Sequence, residues 1–195
     1  MNSFSDRELI LALQSGDTDA LGVLYNRYNT LVYRTAYAIT GDPDAASDLL
    51  QDAFLRLNRF SEHIDPRRPL EPWLYRMTAN LSYTWLKRRK RWFHPLDDMM
   101  EWLAGVTHAS HSPQQQAEKN AESQRLQQAM LTLPVQQRMV VVMYYVNDLS
   151  LQEIAEILEI PEGTVKSRLY YGRAALRQAL GLNAEVSGEV TYEFT

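Results

Sequence analysis

The sequence SLQEIAEILEIPEGTVKSRLYYGRAAL, from Ser150 to Leu176, decides the fold prediction for the second half of the chain. Ser150, followed three residues later by Glu153, forms the pattern of a helical capping box and predicts that a helix begins at Leu151. The helical pattern breaks at Glu159–Pro161, and a longer basic helix follows. A short helix, a tight turn and a longer basic helix are typical of a helix-turn-helix.

The longer helix is predicted to have one apolar and one polar face. At about 100° per residue, Val165, Leu169, Leu176 and Leu180 fall together, with Gly172 beside them. Hydroxyls, an amide and cations on the other side suit base edges and phosphates, and the helix N-terminus offers free N–H groups to a phosphate. An ordinary amphipathic helix with a solvated basic face is the alternative. The residues predicted to face DNA or to flank that face are Thr164, Lys166, Ser167, Arg168, Tyr170, Tyr171, Ala174, Arg177 and Gln178.

Composition excludes several classes of protein. The 195 residues carry a formal net charge of −4 and include no cysteine, which excludes disulfides, thiolate zinc sites and a cysteine nucleophile and suits a reducing compartment. The N-terminus shows no signal peptide, and the longest apolar run, Met139–Val146, is too short to span a bilayer. We therefore expect a cytoplasmic protein with no direct membrane insertion.

The rest of the chain also has helical periodicity, so the fold class is predicted to be all-α. Ser5 with Glu8 forms a second capping box, and Asp17 and Asp42 are predicted N-caps. Gln114–Leu131 can form a further helix. The helix after Asp42 is predicted to bury the apolar stripe Leu49, Leu50, Ala53, Phe54, Leu57 and Phe60.

A second basic helix is predicted to start near Pro72 and to end in the five consecutive cations Lys87–Arg91. Its polar side interleaves an amide, a phenol, a hydroxyl and cations, a mixture that suits unstacked bases of a single strand. The loop Ser61–Pro69 before it could shape a pocket for an extruded base. The alternative is a core helix whose cations are merely solvated at its C-terminus. The predicted contacts are Arg76, Asn80, Tyr83, Thr84 and Lys87.

The charge pattern also contains an acidic segment. Gly41–Asp52 holds four aspartates and no base. Acids near a helix N-terminus are common capping chemistry, and a docking face for a basic protein surface is the functional alternative. We find no phosphate-binding glycine loop, no serine–histidine–acid arrangement and no metal-ligand spacing. The sequence therefore predicts a protein that is not an enzyme and that uses no metal and no cofactor.

Taken together, these segments resemble the extracytoplasmic-function (ECF, group IV) sigma factors of bacterial RNA polymerase over roughly residues 5–180. Asp44–Leu57, Pro72–Arg89 and Leu133–Leu176 carry the resemblance, in that order and with a linker between the second and the third. It implies a sigma-two-like helical bundle at 1–95, a flexible linker at 96–123, a sigma-four-like helix-turn-helix domain at 124–181 and a tail at 182–195.

The resemblance also implies roles. Asp48, Gln51 and Asp52 would bind the β′ clamp helices of core RNA polymerase, whose β flap would be a further contact. The Trp73–Arg91 helix would capture the melted non-template strand of the minus-ten element, with Asn80 as a base contact. The second domain would bind the minus-thirty-five duplex, and an anti-sigma factor would hold the protein inactive.

Two points remain open at the level of sequence. Tyr171 stands where family members often have arginine, and a tyrosine cannot make the bidentate contact to guanine that arginine makes. A stand-alone helix-turn-helix regulator, binding a palindrome as a symmetric dimer, is the alternative function. The acidic helix followed by the Asn80 helix favours the sigma factor, because a repressor would need neither.

Overall fold

The structure is a computed structural model and describes residues 4–92 and 115–182. Over these residues the protein is all-α. The predicted linker up to residue 114 and the tail from residue 183 lie outside the described residues. The α-helices are α1 (Asp6–Gln14), α2 (Thr18–Thr40), α3 (Pro43–Arg59), α4 (Glu71–Trp92), α5 (Gln115–Thr132), α6 (Val135–Tyr145), α7 (Leu151–Leu158) and α8 (Glu162–Ala179), with a 3-10 turn at Ser61–His63.

The four helix N-caps predicted from the sequence are confirmed. Ser5 and Ser150 each accept a backbone N–H, and the glutamate three residues on accepts from the serine backbone, which completes both capping boxes. The carboxylates of Asp17 and Asp42 cap α2 and α3. Gly41 ends α2 in the left-handed region, at φ 72°, where glycine carries no steric penalty.

The first half of the chain is a bundle of α1–α4. Leu24 and Val32 of α2, Ala53 of α3 and Leu74 of α4 are fully buried in one hydrophobic core. The Tyr28 hydroxyl lies against the carboxylates of both Asp6 and Glu71, so it links α2 to α1 and α4. This packing fixes which sides of α3 and α4 remain in solvent.

Phe60 departs from its predicted place in the buried stripe of α3. The helix ends at Arg59 and the chain turns into the 3-10 segment, so Phe60 leaves the helical register and its side chain is 39% exposed. Its ring packs at the edge of His63 and under the Arg59 guanidinium instead. The remaining members of the stripe are buried as predicted.

The second half is built around α6, and residues 139–143 of this helix are buried. The helices α7 and α8 pack against it through Ile154, Val165 and Leu169, which are also buried. The apolar run that was too short to cross a bilayer is thus a core helix. Among the described residues, no helix is long and apolar enough to cross a membrane.

The two halves contact each other. Ile39 of α2 and Tyr75 and Ala79 of α4 belong to the same buried cluster as the core of the second half. The Arg138 guanidinium is buried and donates to the carbonyls of Ile39, at 2.6 Å, and Leu133, at 3.0 Å. Since α5 begins at Gln115, its first turns occupy residues that the sequence had assigned to the 96–123 linker.

Candidate nucleic-acid and polymerase interfaces

The helix α8 presents the two faces that the sequence predicted. Val165, Leu169 and Gly172 are buried against α6 and α7, while Leu176 and Leu180 are half-buried at the edge of that contact. Capping by Pro161 leaves the first turn without a side-chain acceptor for its N–H groups. The residues exposed on the opposite face are Lys166, Ser167, Tyr170, Tyr171, Ala174 and Gln178.

The two cations Lys166 and Arg168 of α8 differ in how firmly their side chains are held. The Lys166 ammonium lies 3.0 Å from the Glu162 carboxylate one turn earlier, and both side chains are exposed. Such an exposed pair contributes less than about 1 kcal/mol, so Lys166 can exchange Glu162 for a phosphate. Arg168 is half-buried and donates to the Gln136 side chain at 3.0 Å, which fixes its direction.

Two tyrosines extend the polar face of α8. Tyr170 and Tyr171 are 63% and 60% exposed, and their rings meet edge to face at 5.4 Å. Phenols in this position offer hydroxyls to base edges or phosphates and apolar ring surface to a thymine methyl. Thr164 is half-buried at the first turn, near the helix N-terminus.

On α4 the predicted contacts divide into two groups. Asn80, Thr84 and Lys87 are exposed, and the Thr84 hydroxyl donates to the Asn80 carbonyl at 2.8 Å. Tyr83 is half-buried and packs against the buried cluster that joins the two halves, and Arg76 is engaged by the second half. The predicted core residues of this helix, Trp73, Leu74, Met77 and Leu81, are buried or packed on the core.

A cleft of about 830 Å³ lies where the loop before α4 faces α7. Arg68 and Arg76 line one side of it, and Glu153 and Glu156 line the other. The Arg76 guanidinium lies 2.5 Å from the carboxylate of Glu159, which ends α7 in the left-handed conformation. The segment predicted to hold an extruded base therefore opens towards the second half of the chain.

The acidic side of α3 faces solvent. Asp48 and Gln51 are exposed, and Asp52 is half-buried 3.4 Å from Arg56. Leu55 continues the same stripe one turn later and is 67% exposed. An apolar side chain of this size, surrounded by polar groups, has the form of an anchor in a protein interface.

Sequence inspection did not single out Leu55, Arg138 or Glu159. The helical spacing of Leu55 from Asp48 and Asp52, at seven and three residues, was a signal that could have identified it. Arg138 directly precedes the apolar run Met139–Val146, but nothing in the neighbouring sequence indicates that its partners are backbone carbonyls. Burial without a carboxylate lowers the pKa of Arg138, so the carbonyls compensate its charge only in part.

The chain matches two family models. The model described as Sigma-70 region 2 matches residues 24–92, and the model described as Sigma-70, region 4 matches residues 123–176. These ranges contain the sites described above, except that Gln178 and Leu180 lie just beyond the second range. The predicted order of the two halves and their family types is therefore confirmed.

Curated relatives match nearly the whole chain. The ECF RNA polymerase sigma factor SigW of Bacillus subtilis is 34% identical over 180 residues, which cover 89% of this chain and 96% of SigW. SigM of Mycobacterium tuberculosis, another ECF sigma factor, is 32% identical over 184 residues, which cover 94% of this chain and 89% of SigM.

Two solved structures share the fold. CnrH in complex with the cytosolic domain of CnrY has a TM-score of 0.65 at 22% identity, over 92% of this chain and 99% of CnrH. The sigma factor RpoE of Bartonella quintana, in complex with the anti-sigma factor NepR, has a TM-score of 0.63 at 18% identity, over 86% of this chain and 99% of RpoE.

The class defined by both halves is that of the non-enzymatic subunits that direct transcription initiation. Within it, the chain belongs to the ECF RNA polymerase sigma factors. It is an alternative sigma factor, which acts with core RNA polymerase at promoter DNA. The family match across both halves decides against a stand-alone helix-turn-helix regulator.

Proposed function

We propose that this sigma factor divides its work among three exposed helix faces. The acidic face of α3 binds core RNA polymerase, the exposed side of α4 captures the minus-ten strand, and the polar face of α8 binds the minus-thirty-five duplex. The observation that carries this proposal is the burial of the opposite side of each helix, which leaves these three faces in solvent. The protein works where the polymerase is, in the cytoplasm.

For α3 we propose that Asp48, Gln51 and Asp52 contact the β′ clamp helices, with Leu55 as the apolar anchor between them and the following turn. Carboxylates steer a basic partner, while a desolvated leucine contributes most where water is excluded. The β flap is the proposed partner of the second half.

Charge reversal tests the α3 contact. Asp48→Lys/Asp52→Lys is expected to abolish co-purification with core polymerase while leaving the helical circular dichroism unchanged, because these side chains are not part of the core. The matched control is Asp19→Lys/Glu122→Lys, which changes the charge equally at exposed positions outside this face. Co-purification of the α3 variant at the level of the control would contradict the proposal.

For α4 we propose that Asn80 contacts a base of the melted non-template strand, with Arg76, Tyr83, Thr84 and Lys87 around it. Asn80→Ala is expected to leave minus-thirty-five duplex binding intact and to reduce open-complex formation, measured by permanganate reactivity of the promoter. Normal strand opening by the variant would count against base capture.

For α8 we propose contacts from Lys166, Ser167, Arg168, Tyr170 and Tyr171, with Thr164 near the backbone. Loss of Lys166 or Arg168 to alanine should weaken promoter binding by about 1–3 kcal/mol if the side chain reaches a base. Equal loss on scrambled duplex would assign that side chain to phosphate instead. Because Tyr171 replaces the family's frequent arginine, the preferred minus-thirty-five sequence should differ at the base it faces.

The experiment that tests the whole function is run-off transcription of fragmented genomic DNA by core polymerase, with and without this protein. New defined start sites are expected, and their alignment gives both promoter elements. An absence of new transcripts would refute promoter direction by this chain.

We further propose that an anti-sigma factor controls this chain. The support is the fold likeness to CnrH and RpoE, whose structures hold the cytosolic domain of CnrY and the anti-sigma factor NepR. Recovery of a stoichiometric small protein with the tagged chain from uninduced cells, and its loss on induction, would test this.

A further inference from the structure

The two DNA-binding halves form one packed body through contacts that are partly polar. The buried Arg138 guanidinium donates to the Ile39 carbonyl at the end of α2, and the Asn147 amide donates to the Thr35 hydroxyl at 2.8 Å. Burial raises the pKa of Tyr75, and the amide of Asn147 offsets part of that rise, which places Asn147 beside both α2 and α4.

A second layer of this contact is acidic. Glu153, Glu156 and Glu159 are three residues apart, so they follow one edge of α7 and its C-cap. Glu153 and Glu156 line the cleft opposite the loop before α4, and Glu159 pairs with Arg76. Carboxylates therefore lie around Arg76, a residue that the proposed function places beside the minus-ten strand.

We propose that the acidic edge of α7 is an intramolecular competitor of the minus-ten strand and holds the free chain in a closed state. The inference rests on the proposed function of α4. Carboxylates and phosphates bind an arginine through the same charge-assisted hydrogen bonds, so Glu159 competes with a phosphate for the Arg76 guanidinium. Tyr83, a second proposed contact to the minus-ten strand, is half-buried against the cluster that the two halves share, so less of it is available to the strand.

The closed state also cannot span a promoter. Elements centred near minus ten and minus thirty-five are separated by roughly 25 base pairs, or about 85 Å of duplex at about 3.4 Å per step. A compact body of about 180 residues has a radius of gyration of about 16 Å and a diameter of roughly 40 Å. The α7 edge must leave the α4 surface before both elements are bound.

The contact between the halves has features that allow it to open. The Nε of Arg138 and the Oδ1 of Asn147 are buried and have no hydrogen-bond partner among the described residues. Both atoms would gain water on opening, which offsets part of the lost contact. The Arg76–Glu159 pair is 45% and 63% exposed, so its contribution is small and sensitive to salt.

A covalent cross-link tests the closed state. Because the sequence contains no cysteine, only the introduced cysteines can react with the cross-linker. The Tyr37 hydroxyl donates to the Gln127 side chain at 2.9 Å across the two halves. Tyr37→Cys/Gln127→Cys, bridged by a short bismaleimide, is expected to bind core polymerase but to lose at least tenfold in open-complex formation. The control is Tyr33→Cys/Tyr37→Cys, which the same reagent bridges within α2. Initiation by the locked protein at the level of this control would overturn the proposal.

Isosteric neutralisation tests the acidic edge without a lock. Glu156→Gln/Glu159→Gln is expected to bind a single-stranded minus-ten oligonucleotide roughly three- to tenfold tighter at low salt, and the gain should shrink as salt rises. The control Asp19→Asn/Glu122→Gln removes the same charge from exposed positions away from the cleft. Equal gains in both pairs would overturn the competitor and leave the proposed function standing. A wild-type chain whose holoenzyme captures no minus-ten strand would instead refute the proposed function and the inference with it.

Discussion

The position of the DNA-binding helix depends on a close approach at Gly172, and this can be tested quantitatively. A β-carbon added at Gly172 would lie 2.7 Å from Cγ2 of Val141 on α6. Val141 is 2% exposed, and a β-branched side chain has little freedom at χ1, so it cannot move aside cheaply. Gly172→Ala is therefore expected to force α6 and α8 apart or to strain Val141.

Two opposing effects set the magnitude. Alanine is favoured over glycine inside a helix by about 1 kcal/mol, whereas overpacking a tight core costs about 1–3 kcal/mol. The net destabilisation expected for Gly172→Ala is thus about 0–2 kcal/mol. Val141→Ala alone should cost about 2–3 kcal/mol, from two lost methyl groups and the cavity they leave.

The double variant isolates the contact. In Gly172→Ala/Val141→Ala the new methyl group enters the space that Val141 has vacated, so the overpacking disappears. The double variant should be about 1–3 kcal/mol more stable than the sum of the single changes predicts. Urea unfolding followed by the helical circular-dichroism signal gives the free energies of unfolding of the wild-type chain, the two single variants and the double variant, provided that their m-values agree.

The control is Gly22→Ala in α2, where an added β-carbon has no neighbour within 4 Å. It should show the helix-propensity gain alone, as a stabilisation of about 0.5–1 kcal/mol. A coupling below about 0.5 kcal/mol between Gly172→Ala and Val141→Ala would refute the idea that Val141 requires glycine at this crossing.

Three further predictions concern other parts of the molecule. Leu55→Ala should weaken core-polymerase binding at least tenfold without changing the free energy of unfolding. Leu126 is also an exposed leucine, and Leu126→Ala should leave binding unchanged. Equal affinities of the two variants would contradict the proposed role of Leu55. Burial and the neighbouring carboxylates raise the pKa of Tyr28 above its usual 10.0, so the folded chain holds the phenolic proton more tightly than the unfolded chain. The free energy of unfolding should therefore fall as pH rises past 10.0. Urea unfolding at alkaline pH should show a shallower fall for Tyr28→Phe. Hydrogen bonds from Ser150 lower the pKa of Glu153 below 4.5, so its contribution to folding stability is present above pH 4.5 and is lost in acid. Glu153→Gln should therefore reduce the loss of unfolding free energy on acidification. An unchanged loss would count against the capping box.

Much of the fold followed from local chemistry. The caps at Ser5, Asp17, Asp42 and Ser150 depend on side chains that bond to the backbone within three residues, and such contacts need no tertiary partner. The two faces of α8 follow from the helical period alone. Family membership likewise rests on motifs within short segments.

Other features depended on where segments meet. Phe60 left its predicted stripe because the helix ended one residue earlier, a boundary that periodicity does not fix. The sequence also gave no partner for Arg138, since backbone carbonyls are present at every residue and only the packed structure selects those of Ile39 and Leu133.

By itself, the sequence determined the helices, their buried sides and the three faces that carry the proposed contacts. The tertiary structure decided how those faces stand towards one another. Only folding brings Glu159 against Arg76, 83 residues away in the chain, because their pairing depends on the packing of α7 on α4 and on no local pattern. The charge that favours DNA binding on α4 is thus set by sequence, and its availability to DNA is set by the contact between the two halves.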